Sequence, residues 1–183
     1  MTETYTTGTL AFDAVIAAVC ICMPELGNRV KKSHQVKADS PAFGVEPYAV
    51  VSMTPIGPVG HPAITHPDET ITTAAPYTIR ELIETEHRAV IAVEFTGNNA
   101  MELTEAFESR ILGEHAHRIL HDVGVGLMLV PATVEDATKL VGDRWRYGLA
   151  RAFMIAWKRL DVLQTFAAES LVTPIVPTLA QET

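Results

Sequence analysis

The chain is short of cysteine, of positive charge and of long apolar runs. Its only cysteines, Cys20 and Cys22, stand two residues apart. They cannot close a long stabilising loop, so a reduced, cytosolic setting is the simple expectation. Lysine and arginine number 14 against 22 aspartates and glutamates, a net charge of −8. That balance argues against a general nucleic-acid binder, which carries a basic patch or stripe, and suits a surface that repels DNA. The longest apolar run, 10–23, is interrupted by Asp13 and falls short of the roughly 20 residues that span a bilayer. Residues 1–9 carry only Glu3 as a charge, so no secretory signal is expected and no membrane partner follows. The catalytic patterns GxSxG, Walker A, GxGxxG and HExxH are missing, and Gly124-x-Gly126 lacks a third glycine.

What is present is enough apolar material for a core, 48% of 183 residues. Domains of about 100–200 residues are typical, so 1–183 is expected to form a single domain. The clearest unit is 88–124. Ala89, Ile91, Val93 and Phe95 alternate as on a half-buried strand. Thr96-Gly97-Asn98-Asn99 then forms a turn, with Asn99 as expected N-cap and Glu102 reaching back as in a capping box. A helix from Ala100 to about Val123 follows, roughly 35 Å long. Leu103, Phe107 and Ile111 lie on its buried stripe, Gly113 weakens its middle, and Gly124 stops it.

The rest divides around this unit. Residues 10–23 read as a buried N-terminal helix capped by Thr9 and ended by Pro24 and Gly27. Residues 28–46, with Arg29, Lys31 and Lys32, read as a solvated loop, and Pro47–Met53 as a strand. The stretch 54–78 holds Pro55, Pro58, Pro62, Pro67 and Pro76 and reads as a long loop excursion. Residues 79–96 suit one long strand, or two joined by a bulge. Residues 125–130 read as a buried strand and 133–141 as one or two helical turns. Residues 145–163 fit both a helical stripe (Leu149, Ala152, Phe153, Ala156, Trp157, Leu160) and a strand face broken by Arg151. Residues 177–183 are expected to form a flexible tail.

Few side chains suggest chemistry. His117 and His121 share a helical face and are the candidate metal pair, with His115 beside them. The competing reading is that these histidines and Arg118 complement the negative end of the helix dipole. His61 and His66 lie in the excursion and are a weak metal signal. The carboxylates at 81–86 and 102–108 read as solvated faces. No nucleophile has a recognisable base, and no cofactor is expected.

Taken in order, the Pro47-Tyr48 strand opening, Val93-Glu-Phe-Thr-Gly-Asn-Asn-Ala100 with its helix, the short strand before Pro131, and Val134-Glu-Asp-Ala-Thr-Lys-Leu-Val-Gly-Asp-Arg-Trp-Arg146 resemble the neck and tail-terminator proteins of tailed bacteriophages. The resemblance spans roughly residues 10–176. It departs from the family pattern at Arg146, where an acid is expected, and in a longer excursion at 54–78. It implies an α+β fold: a mixed, mostly antiparallel sheet flanked by an N-terminal helix and one long central helix, with 145–163 as a strand. It also implies a structural virion protein rather than an enzyme, assembled in the host cytoplasm. Such proteins form a ring, usually hexameric, that caps the tail tube, stops its polymerisation and joins it to the head–neck connector. The implied partners are other copies of the chain, the tail tube protein, the connector protein and, as a further candidate, the sheath protein, with DNA only passing through the lumen. Arg144, Trp145, Arg146, Arg151, His61 and His66 are the candidate contact residues. The alternatives are another head-completion, neck or baseplate connector, and, from a different class, a small metal-dependent enzyme using His115, His117 and His121.

Overall fold

The structure is a computed structural model that describes residues 4–33, 46–65, 78–128, 134–141 and 144–166. The expected tail at 177–183, His66 and the 66–77 part of the excursion lie outside the described residues. The elements in chain order are α1 (Gly8–Cys22), a 3-10 turn (Pro24–Arg29), β1 (Val30–Lys32), β2 (Tyr48–Thr65), β3 (Thr78–Thr96), α2 (Ala100–Ile111), α3 (Glu114–Asp122), β4 (Val125–Met128), β5 (Glu135–Asp136), β6 (Lys139–Val141), β7 (Arg144–Arg146) and β8 (Gly148–Phe166).

The main sheet has six strands in the order β1-β2-β3-β8-β4, with β5 also on β8. β1 runs parallel to β2, and every other pairing is antiparallel. The alternation in β3 sets the buried face. Ala89, Ile91, Val93 and Phe95 are all fully buried. Register places Val51 opposite Val93 on β2, and Phe153 opposite Ile91 and Ile155 opposite Ala89 on β8. α1 packs Ala11, Ala14, Val15, Ala18, Val19 and Cys22 inward, a helical spacing of mostly small side chains. α2 contributes Leu103, Phe107 and Ile111 as its sequence stripe predicts. Phe107 joins the layers: its ring lies 5.4 Å from Phe95 and 6.1 Å from Phe153. This is the expected α+β class, a mixed and mostly antiparallel sheet with flanking helices.

Several local expectations are corrected. The central helix is two helices. At Gly113 the backbone turns extended (ψ 156°) and its N–H bonds to the Arg110 carbonyl at 2.9 Å. A Cβ at Gly113 would stand 2.9 Å from that oxygen, so the glycine serves the break itself. α3 then redirects Ala116 and Leu120 into the core beside α1. The cap of α1 is Thr7, whose hydroxyl accepts from the Leu10 N–H, rather than Thr9. Asn99 makes no side-chain cap; the turn closes through backbone bonds from Ala100 to Gly97 and from Leu103 to Asn99. Residues 135–141 are strand pieces, not helical turns.

The basic cluster at 29–32 is structural rather than a solvated loop. Arg29 donates to the Glu25 and Leu26 carbonyls and pairs with Glu46 at 2.7 Å, while β1 pairs with β2. Lys32 pairs with Asp13 and lies 5.3 Å from the Phe12 ring centroid.

The largest correction concerns 54–78. β2 continues through Pro55, Pro58 and Pro62 to Thr65, paired along its length with β3. The prolines are tolerated because β1 ends opposite Val51, so that beyond it β2 has no second strand partner among the described residues to need its N–H groups. Register shifts at Pro55/Gly57 and Val59/Ala63 absorb the irregularity. β3 and β8 run 19 residues each and pair throughout, on the order of 60 Å of strand. The ambiguous 145–163 segment is strand, as the resemblance implies, but it is divided at Tyr147 between β7 of a separate sheet and β8.

Gly124 holds φ at +72°, and a Cβ there would stand 2.7 Å from the Thr4 carbonyl oxygen. Gly124→Ala is expected to cost at least about 1–2 kcal/mol from the left-handed backbone alone. Gly126→Ala, whose nearest atom would be 3.7 Å away, should be nearly neutral. Urea unfolding of the two variants side by side checks this.

Candidate functional site

Three surfaces are distinguished by what their side chains leave unsatisfied. The first is the part of the sheet that outruns the helices. From Thr54 onward β2 is almost wholly exposed, with Ile56 and Ile64 more than half exposed, and Val162 on β8 is equally open. Here β2, β3 and β8 form a three-stranded arm. At its root Trp157 is buried and stacked on His87 with ring centroids 5.7 Å apart. The Trp157 indole N–H has no hydrogen-bond partner among the described residues. Lys158 pairs with Glu84 at 2.8 Å, and the Tyr5 hydroxyl donates to the same carboxylate. The Thr6 N–H bonds to the Lys158 carbonyl, so the N-terminal segment continues the edge cover that β4 begins. His61 sits on the exposed β2 edge of this arm, between the register positions Val59 and Ala63.

The second surface is the ribbon formed by β6 and β7, a two-stranded sheet apart from the main one. Leu140 and Trp145 face each other across it and are 57% and 74% exposed. The next pair, Lys139 and Arg146, lies on the other face by strand alternation. Lys139 reaches Glu94, whose side chain points away from the helices because its neighbours Val93 and Phe95 point toward them. The ribbon is thus tied to the side of the sheet that no described helix covers. That side is lined by small or slender residues such as Ala92, Ala152, Ala156 and Val90, all half-buried. Asp136, beside the ribbon, has its carboxyl held below the usual range by hydrogen bonds from the Thr138 side chain and backbone.

The third surface is a shallow groove of about 280 Å³ in the helix layer, lined by Ile21, Cys22, Arg110, Gly113, His115 and Ala116. Arg110 donates to the Cys22 carbonyl at 2.8 Å and to both Glu25 oxygens at 2.8 and 3.0 Å. Ile21 and Leu112 leave more than half of their surfaces open nearby.

The candidates named from sequence scatter over these surfaces. Trp145 and Arg146 share the ribbon, and Arg144 occupies a β7 position opposite Val141. Arg151 lies on the inner face opposite Val93 and pairs with Glu108 of α2 at 2.7 Å, so it fastens a helix to the sheet. His117 and His121 are neighbours on α3 with ring centroids 6.4 Å apart, whereas His115 lines the groove. Among the described residues, no group of three or more His, Cys, Asp or Glu could hold a metal ion. Among the described residues, no helix is long and apolar enough to cross a membrane. Sequence reasoning missed the arm and the groove. The prolines of β2 masked the strand, and the groove exists only because the helix breaks at Gly113.

Burial raises the Cys22 thiol from an ordinary 9.0 to about 11, with the Arg110 charge offsetting part of the shift. Cys20 is raised for the same reason, offset by Lys31. The folded state therefore holds the Cys22 proton more tightly than the unfolded chain. This contribution to stability is intact below about pH 9 and is lost as pH rises through 11. Cys22→Ala should flatten that alkaline loss in pH-dependent denaturation. In the native protein at about pH 8, alkylation of Cys22 should run roughly a hundredfold slower than for an ordinary thiol, since only the thiolate reacts. Peptide mapping after timed labelling reads that rate.

A scan against protein-family models finds no match, and neither does a search of curated proteins.

Proposed function

We propose that the chain is a structural virion protein of a tailed phage. In this reading it is a tail terminator whose copies close into a ring on the last ring of the tail tube, stop its polymerisation and join the tail to the head–neck connector. Its partners are its own copies, the tube protein and the connector, with the sheath protein as a further candidate. DNA passes through the lumen without being bound.

The observation that carries the reading is the three-stranded arm. Most strands in globular proteins run 3–10 residues, yet β3 and β8 run 19 each and remain paired beyond the helices. That outer length builds little core: Ile56, Ile64 and Val162 are open to solvent. An ordered projection with exposed aliphatic residues suits contact with another molecule. A ring also requires two different patches on each subunit, joined head to tail. The arm, the ribbon and the groove lie on separate parts of the molecule and supply more than one. The net charge of −8 would keep phosphate from binding while a genome passes. The α+β class, a mostly antiparallel sheet with flanking helices, is also what the resemblance to neck and tail-terminator proteins implies, although the single long central helix it implies is here two helices.

Electron microscopy of purified protein mixed with tail tubes tests the reading. Rings seated on tube ends, with tube elongation halted, are expected. Ile64→Asp should leave the fold intact, since Ile64 is 55% exposed, yet reduce end capping by about tenfold or more, the scale of a contact worth about 1.4 kcal/mol. Protein that never occupies tube ends refutes the proposal. Protein found instead at the baseplate or the portal of intact particles would move it to another connector role.

A further inference from the structure

α3 brings His117 and His121 together on its exposed side, with ring centroids 6.4 Å apart and planes tilted by 36°. Four residues are just over one helical turn, so the two side chains leave the axis only about 40° apart, one above the other. Both are open to solvent, so their side-chain torsions are free to turn ring nitrogens toward a common point. Two histidines at this spacing on one helical face can share a metal ion. His115 stands on another side of α3 and lines the groove instead. We infer that His117 and His121 chelate one divalent cation of the zinc, nickel and copper class. The site is independent of the ring reading.

Ligand chemistry selects the class. Imidazole suits Zn²⁺, Ni²⁺ and Cu²⁺, whereas Mg²⁺ and Ca²⁺ take oxygen ligands. The setting favours a cation. His121 lies in the last turn of α3, where unpaired carbonyls carry the negative end of the helix dipole. Glu114 lies one turn before His117 on the same flank, and Asp122 follows His121, against Arg118. Among the described residues no third ligand joins the pair. Water therefore fills the remaining positions, and the three-ligand frame of a catalytic zinc is not built. The consequence is mechanical. Isolated helices shorter than about 12–15 residues are marginal, and α3 has nine residues and no side-chain bond at its N-cap. Its end is held by the Gly124 N–H on the His121 carbonyl at 2.9 Å and the Val123 N–H on the Leu120 carbonyl at 3.3 Å. A cation bridging His117 and His121 ties this last turn to the one before it. The clamp sits where α3 hands the chain to β4.

Calorimetric titration of the untagged full chain with the chlorides of Ni²⁺, Zn²⁺, Mn²⁺ and Mg²⁺ tests the site, with the imidazole NMR signals followed during the Zn²⁺ titration. Expected are one ion per chain, Ni²⁺ held more tightly than Mn²⁺, no binding of Mg²⁺, and His117 and His121 signals that shift together. His117→Ala and His121→Ala should each weaken binding about tenfold or more, as two ligands become one, and His115→Ala should change nothing. All three side chains are exposed, so each variant should fold, and circular dichroism checks that. Combining His121→Ala with Asp122→His keeps the number of histidines but turns the second ring about 140° from the first, so it should not restore binding. With Zn²⁺ at about ten times its Kd, amide exchange at residues 121–124 should slow about tenfold, because the opened turn no longer presents both ligands. No saturable binding, binding indifferent to His117 or His121, or full binding by the shifted pair overturns the site. Exchange that stays fast while the ion is bound overturns the clamp.

Discussion

Phe107, packed with its ring tilted against both Phe95 and Phe153, is the contact on which the rest of the structure depends. It fixes α2 against the two central strands at once, and those strands carry everything else. β3 pairs with β2 on one side and β8 on the other. β8 in turn holds β4 and β5. Removing a buried phenylalanine typically costs about 3–5 kcal/mol, a large share of the roughly 5–15 kcal/mol that holds a domain together. The Arg151–Glu108 pair repeats the α2–β8 link on the inner face of the sheet, half-buried. The aromatic contact sets the helix position, and the ion pair fastens the same helix to the same strand.

With the centre fixed, length does the remaining architectural work. Helices cover β3 only over its last turns of sequence, from Ala89 to Phe95. The strand nevertheless begins at Thr78, so the same hydrogen-bond ladder that builds the body builds the arm. The Trp157–His87 stack marks the passage from one to the other. Beyond it, cross-strand pairs such as Lys158–Glu84 replace hydrophobic burial.

The elements legible in the sequence were those whose stability is local or periodic. Ala89, Ile91, Val93 and Phe95 announced a face by alternation, and Leu103, Phe107 and Ile111 did so by helical spacing. What stayed hidden depended on neighbours. Pro55, Pro58 and Pro62 read as loop because proline forbids an interior strand, and only the early end of β1 makes β2 an edge where they are permitted. Gly113 read as a weak helical position because its extended backbone is set by α3 docking on α1. Asn99 had the right chemistry for a cap, but Gly97 already closes that turn through the backbone. Of the candidate contact residues, Trp145 could be named but not its setting. The periodicity of 145–163 did not tell strand from helix, and exposure follows from the ribbon standing off the sheet. Arg151 looked like an interruption of an apolar face and is one, compensated by a carboxylate 43 residues earlier in the chain.

Long strands and open apolar residues invite indiscriminate pairing, and the fold limits it. The β2 edge of the arm is interrupted by prolines and bulges that deny a continuous row of donors to an incoming strand. The β8 edge is covered by β5, β4 and then the Thr6 N–H as far as Lys158. With backbone edges blunted, recognition is left to side chains, which discriminate by shape and charge where a bare strand edge does not. The net charge of −8 adds a general repulsion between like molecules, which salt screens, so what discriminates at these edges is the side chains rather than the backbone.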